Sequence, residues 1–357
     1  IHYPSLPAYD RDFTTALASE LPNVGITCFT AFNRGDSLPS FTEAGRVEIC
    51  EIKTKVIAGI WFSSGFLSQI LAKPRNAIVV LSANPRDIST LLLGLICRLL
   101  GRKVVFWGMF HSIGSSRLPS AASFFLMGLL GNASATYGRT GVIAQLGRGI
   151  SPSKIVQIGT AIEPVVIGEK STPISNDVTI LEELDRLRSE NSLLFSHVMR
   201  LSKFKNIKKF LQVCETISGL PFNACIIVVG AGEMDDYVQA ELRRLGIEHA
   251  VFFAGPVYDK TILNTLYSKV DATLVATCIG LTAHQSLMHD VIVITDDSIA
   301  EQTSEFEILR NSYNALVYEE NNFDELRELL IAFEKNRELR NSMKKNIPSS
   351  LVGFRME

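Results

Sequence analysis

No metal- or redox-type cysteine pattern occurs in this 357-residue chain. Its six cysteines (Cys28, Cys50, Cys97, Cys214, Cys225, Cys278) form no CxxC pair and no Cys/His cluster. Several fall inside apolar runs, where a thiol acts as a small hydrophobe. That points to a reducing, cytoplasmic setting and away from a zinc site. An excess of one charge is lacking as well: the formal net charge is −2, with a pI near 6.4, so nothing marks a nucleic-acid binder. No uninterrupted apolar run reaches the roughly 18 residues of a spanning helix. A signal-peptide pattern is also missing, and Ile1-His2-Tyr3-Pro4 reads as the end of a strand that starts upstream. Two stretches come nearest to membrane character, 56–72 (VIAGIWFSSGFLSQILA) and 121–130 (AASFFLMGLL). They read either as buried or domain-facing helices or as a surface that dips into a bilayer interface.

What is present is a chain 46% hydrophobic and 20% charged, long enough for two domains. Strand-like runs at 24–30, 47–52, 77–82, 103–107, 133–137 and 155–158 alternate with helical patterns at 11–21, 56–72, 88–100, 120–130 and 139–146. Such alternation predicts a parallel sheet with helices on both faces. Residues 163–191, rich in Pro, Ser, Glu and Asp, break the rhythm and end in the charged helical piece LEELDRLRSE. The alternation then restarts, with strands at 193–197, 224–229, 250–254, 272–276, 291–295 and 315–318. Helices are expected at 206–217, 234–245, 260–268, 281–289, 299–309, 323–333 and 337–345. The expectation is an α/β protein of two Rossmann-like domains facing across a ligand cleft. Residues 1–165 form the first, 166–190 a linker and leading helix, 191–335 the second. Residues 336–357 form a helical tail, for which a return to the first domain is open.

The stretch 276–297 (ATCIGLTAHQSLMHDVIVITDD) organises the second half. Gly280 permits a tight turn, a short helix begins at Leu281, and the β-branched run 291–294 marks a buried strand. A helix N-terminus aimed out of a glycine turn beside parallel strands suits an anionic ligand. Arg200 and Lys205 follow an earlier strand. Together they can neutralise a diphosphate, or they are ordinary solvated charges. His111, at the end of the strand KVVFW, either acts on a substrate hydroxyl or is a loop histidine bonded to backbone. Gly230-Ala231-Gly232-Glu233 begins like a dinucleotide fingerprint, but Asp235 stands where its third glycine belongs, so the signal for NAD is weak.

The second half also carries an ordered set of motifs. Arg200-Leu201 is followed by Lys205; then come IIVVGAGEMDDYVQAELRRLGIEHAVFFAG, ILNTLYSKVDATLVAT, GLTAHQSLMHDVIVITDD and SEFEILRNSYNALVYEENNFDEL. This set resembles the C-terminal domain of GT-B-fold glycosyltransferases of family 4, the "glycosyl transferases group 1" proteins. VVFWG and ATYGRTGVIAQLGRGISPSKIVQIGTAIEP in the first half are similar to a polysaccharide-pathway subgroup.

The resemblance implies a retaining glycosyltransferase that moves a sugar from a nucleotide-diphosphate donor to a saccharide or lipid-linked saccharide. It implies an N-terminal acceptor-side domain and a C-terminal donor domain. Arg200 and Lys205 would hold the diphosphate, assisted by the backbone around Gly280, Leu281 and Thr282. The Gly255–Val257 loop would meet the base, and His111 would lie across the cleft near the transferred sugar. A glutamate pair seven residues apart is usual in the family; Thr277 and Gln285 stand there instead, and Gln285 can still bond a ribose diol. Neither a metal nor another cofactor is expected beyond the nucleotide sugar as co-substrate. Partners would be the donor, the acceptor and a membrane surface met through 56–72 and 121–130. The replaced glutamates also leave open a non-catalytic GT-B-fold partner protein, and the fold leaves open a sugar-nucleotide epimerase.

Overall fold

A computed structural model describes residues 1–3, 14, 17–30, 47–112, 117–159, 175–202, 206–257 and 259–352. The chain divides into two compact units, the first ending at Glu163 and the second beginning at Pro164.

In the first unit, Ile78–Ser82, Lys103–Gly108, Ala133–Thr136 and Ile155–Gln157 form a parallel sheet in chain order. A second parallel sheet joins His2–Tyr3, Thr27–Thr30 and Glu48–Glu51. Helices Ile88–Leu99, Arg117–Leu130 and Arg139–Gly147 follow the expected alternation. Of the predicted helix 11–21, only residues 14 and 17–21 are described, and of these 14 and 17–20 are helical.

The stretch 56–72 is not one helix. Lys53–Ile57 and Ile60–Ser64 pair as an antiparallel hairpin, and only Phe66–Ala72 is helical. Ala58 and Gly59 both sit at positive φ, 51° and 78°, the backbone that a two-residue hairpin turn needs. Ala-Gly is a weak turn signal beside Asn-Gly, so the apolar periodicity masked it.

The second unit holds one six-stranded parallel sheet. Its order is Val251–Gly255, Ala224–Val229, Leu193–Val198, Ala272–Leu274, Ile292–Asp296, Ala315–Tyr318. Ala224–Val229 is buried at all six positions, as a strand covered on both faces must be. Helices Ile207–Ser218, Asp235–Leu245, Lys260–Lys269, Thr282–Met288 and Phe323–Lys335 cover it. The leading helix runs Ser175–Glu190 and buries Leu184 and Leu187 in this unit. The tail helix Arg337–Ser350 does likewise through Met343 and Ile347. Residues 353–357, where a return to the first unit would end, lie outside the described residues.

The helix expected at 299–309 is replaced by a short 3₁₀ turn, Ser304–Ile308. The polar residues ahead of it bond away from their own backbone. Gln302 Oε1 accepts from the Ile279 amide at 3.2 Å, and Thr303 Oγ1 from the Gly280 amide at 3.0 Å.

Candidate functional site

The strand order of the second unit reverses between Leu193–Val198 and Ala272–Leu274. From the former the chain steps outward through two strands; it then returns to the opposite side. At such a switch point the loops leaving the two strands diverge, and the crevice between them takes the ligand in open α/β sheets. Arg200 leaves one of these strands and Thr277–Thr282 the other.

The Arg200 loop is held from several sides. The Met199 amide donates to Val229 O at 2.9 Å, and the Met234 amide to Leu201 O at 3.1 Å. Leu201 is buried in the core cluster. A Cβ on Gly230 would lie 2.3 Å from Met199 O, and one on Gly232 only 1.9 Å from Leu201 O. The GxG therefore lets two backbone loops close on one another and sets the position of Arg200. The Gly230 amide also donates to Gly255 O at 2.9 Å, so the Gly255 loop belongs to the same bonded assembly. Gly255 itself sits at φ 72°, a turn that favours glycine.

On the other side of the switch point, Cys278 (φ 54°) and Gly280 (φ 58°) both occupy the left-handed region, which turns the chain sharply into helix Thr282–Met288. Thr282 Oγ1 donates to Val198 O at 2.7 Å, tying the helix start to the end of the Arg200 strand. The Gly280 amide is taken by Thr303. The Leu281 and Thr282 amides have no acceptor among the described residues.

The remaining predicted residues fall as follows. Arg200 is half-buried. Lys205 lies outside the described residues. Thr277 is 6% exposed and lines a small recess with His197, Met199 and Phe210. Gln285 is half-buried, and its Oε1 accepts from the buried Tyr267 hydroxyl at 3.4 Å. Val257 is half-buried beside Gly255.

His111 belongs to the first unit. Its Nδ1 lies 3.0 Å from Met109 O, which orients the ring, with Nδ1 the donor, and leaves Nε2 as the acceptor. The residue before it, Phe110, is fully buried yet sits at φ 55°. A left-handed non-glycine costs about 1 kcal/mol and persists where packing holds it. Here Arg148 Nη1 donates to Phe110 O at 2.9 Å, and the Phe110 ring packs against Phe124.

The sequence reading missed a charged brace behind the site. Lys209, 5% exposed, reaches Asp296 Oδ2 (3.0 Å), Glu320 Oε1 (2.7 Å) and Glu301 Oε2 (3.3 Å). Burial opposes the ammonium charge, but the bonds to Glu320 and Asp296 outweigh it and raise the Lys209 pKa. At Asp296 burial dominates and pushes the carboxyl up to about 6 despite Lys209. Gln302 Nε2 donates to Thr295 Oγ1 (2.9 Å) and Asp296 O (3.1 Å) while its Oε1 holds the Ile279 amide. The brace thus runs from Lys209 to the Gly280 turn. Its signal in the sequence was faint: a lysine within a helix otherwise rich in buried apolar residues, and paired acids at two strand ends. His284, on the inner face of helix Thr282–Met288, is fully buried, which pushes its pKa down to about 4 and keeps it neutral.

An arginine and helix-start amides at one switch point can hold a polyanion, while the Gly255 loop offers a flat backbone edge for a planar group. Residues 182–350 match the family described as "Glycosyl transferases group 1". Over this part the chain is similar to the group 1 glycosyltransferases. Solved structures extend the likeness to both units and show the GT-B fold. The Anabaena protein HepE, solved in complex with UDP, superposes with a TM-score of 0.71 at 14% identity, covering 99% of this chain and 94% of that one. The lipopolysaccharide outer core galactosyltransferase WaaB gives 0.66 at 15% identity, covering 99% and 95%. A glycosyltransferase from Rickettsia africae ESF-5 gives 0.70 at 14% identity, covering 99% and 93%. A search of curated proteins found no match.

Proposed function

We propose that this protein is a retaining group 1 glycosyltransferase that transfers a sugar from a nucleoside-diphosphate donor to a saccharide or lipid-linked saccharide. The observation that carries the reading is the switch point, where the Arg200 loop and the Gly280 turn are tied together by the Thr282–Val198 bond. The bond from the sugar's anomeric carbon to the donor phosphate breaks, and a bond to an acceptor oxygen forms on the same face. The acceptor's proton and the nucleoside diphosphate leave. Arg200, Lys205 and the Leu281 and Thr282 amides stabilise the charge that develops on the leaving diphosphate. On this account donor binding needs no divalent cation, and chelator leaves it unchanged. His111 Nε2 serves the transferred sugar or the acceptor hydroxyl. The similar protein HepE was solved with UDP and with UDP-glucose, which favours a uridine donor.

A second reading, a non-catalytic partner with the same fold, is favoured by Thr277. Its short, buried side chain replaces a glutamate that would reach a donor sugar. A thermal-shift screen with nucleoside diphosphates and their sugars, followed by a product assay with saccharide acceptors, tests both readings. A nucleotide at about 100 times its Kd adds roughly 2.7 kcal/mol of stability. Binding with transfer supports the enzyme; binding without transfer to any acceptor supports the partner; no stabilisation by any nucleotide overturns the donor site. Lys205→Ala is expected to abolish donor binding, and unchanged affinity would remove it from the site.

A further inference from the structure

The strand Lys103–Gly108 runs into a loop whose first two carbonyls, Met109 O and Phe110 O, are both held by helix Arg139–Gly147 and its cap. A Cβ on Gly141 would lie 2.4 Å from Met109 O and 3.1 Å from Thr136 Cβ, so only glycine lets the helix come this close. Phe110 O accepts from the cap residue Arg148, through Nη1, at 2.9 Å. The helix is itself fixed to the strand Ala133–Thr136. Gln145 Nε2 donates to Ser134 Oγ at 3.2 Å, and both residues are fully buried.

These two carbonyls govern His111. Phe110 O belongs to the planar peptide whose nitrogen is that of His111, so a grip on the oxygen fixes the direction in which the histidine leaves the chain. Met109 O lies 3.0 Å from His111 Nδ1; a carbonyl only accepts, so it keeps the proton on Nδ1 and selects the tautomer. Phe110 does not hold this backbone by its own preference, since φ 55° is uncommon for a bulky residue. Arg148 supplies the restraint twice over. Besides bonding to Phe110 O, its Cζ lies 5.3 Å from the centroid of the Phe124 ring, which packs on the Phe110 ring at 5.8 Å. One cation thus secures both the main chain and the side chain of residue 110. A charge-assisted bond is the stronger kind, which suits a peptide held in a sparsely populated conformation.

We propose that Arg148, together with Gly141, is a positioning residue that holds His111 with Nδ1 protonated and Nε2 presented as an acceptor. The inference rests on the reading that Nε2 serves the transferred sugar or the acceptor hydroxyl, and it adds the device that aims it. Nitrogen-resolved NMR of the histidine rings in the full chain, without ligand, tests the orientation, with His111→Ala assigning the resonance. The native protein is expected to show the Nδ1–H form. Arg148→Met should turn part of the population to Nε2–H, and Gly141→Ala, which displaces Met109 O, should do so by a separate route. Arg148→Lys keeps a cation and a donor and should retain the native signature. Circular dichroism melting confirms that each variant folds; if Arg148→Met does not, Arg148→Gln replaces it with the same expectation. In transfer assays Arg148→Met should lower kcat at least ~10-fold with the donor KM unchanged. In a His111→Ala background it should add no further loss. An unaltered His111 spectrum in the folded Arg148 variant, or a loss of kcat that adds to that of His111→Ala, overturns the proposal. The Nδ1–H form in a native chain that transfers sugar to no acceptor would overturn the reaction instead and leave the aiming of His111 standing.

Discussion

Of the large hydrophobic side chains exposed on the described residues, 21 lie in the first unit; only Tyr237, Ile299 and Val352 lie in the second. The charges divide in the opposite sense: residues 1–163 carry 15 basic and 9 acidic side chains, residues 164–357 carry 20 and 28. Both units are parallel α/β layers, so the plan of the fold does not produce this contrast. The second unit keeps its apolar side chains for the core and spends polar ones on bracing loops at one sheet edge. The first leaves apolar stripes in water beside cations. An acidic unit that sets Arg200 at its switch point suits the selection of a small anion, whereas an apolar, basic surface suits contact with something extended.

If the second unit's site rests on its charged brace, Lys209→Ala should give the largest effect. It leaves Asp296 buried without its cation and is expected to cost about 3–5 kcal/mol in chemical denaturation of the full chain. A loss under about 1 kcal/mol would mean that water replaces the ammonium. Next comes pH. His284 has its folded pKa depressed from 6.5 to about 4 by burial. Above 6.5 both states are neutral; below that the unfolded chain binds a proton that the folded chain refuses. Stability therefore falls as pH drops from 6.5 toward 4, by up to about 3 kcal/mol from this residue. Denaturation at several pH values should show a shallower fall in that window for His284→Leu, and an unaltered slope would place the titration elsewhere. Asp296 acts in the opposite sense, because its folded pKa of about 6 exceeds the unfolded 3.8. Its stabilisation is complete below 3.8 and is lost as pH rises through 6.

Gly232→Ala sharpens the contrast further. The added methyl meets Leu201 O and must displace the Arg200 loop, for about 1–3 kcal/mol of stability together with a loss of nucleotide affinity in calorimetry. Stability lost with affinity intact would uncouple the GxG turn from Arg200. The smallest effect belongs to the first unit. Leu92→Ser, on an exposed face, should change melting by no more than about 0.5 kcal/mol. A larger loss would show that this face packs against something within the chain.

The alternation of strands and helices was legible because buried parallel strands such as IIVV leave continuous apolar runs, and the site loops follow their ends. The loops that carry Arg200, Gly255 and Gly280 could be placed at strand ends for the same reason. Three features escaped. The hairpin hid because Ile57, Ile60 and Trp61 also fit a helical stripe, and its turn uses alanine at positive φ. Segment 299–309 looked helical by apolar spacing, yet Gln302 and Thr303 satisfy amides of another loop. Lys209 escaped because its partners Asp296 and Glu320 lie 87 and 111 residues away. Pairings at that range are created by sheet topology and leave no local pattern.

Titration calorimetry of UDP and UDP-glucose into the native chain and into Arg200→Ala tests the donor pocket most directly. Saturable binding by the native chain is expected, weakened at least tenfold in the variant, since a hydrogen bond to a charged group contributes about 1.5–3 kcal/mol. Equal affinity of the two proteins for both ligands would contradict the account.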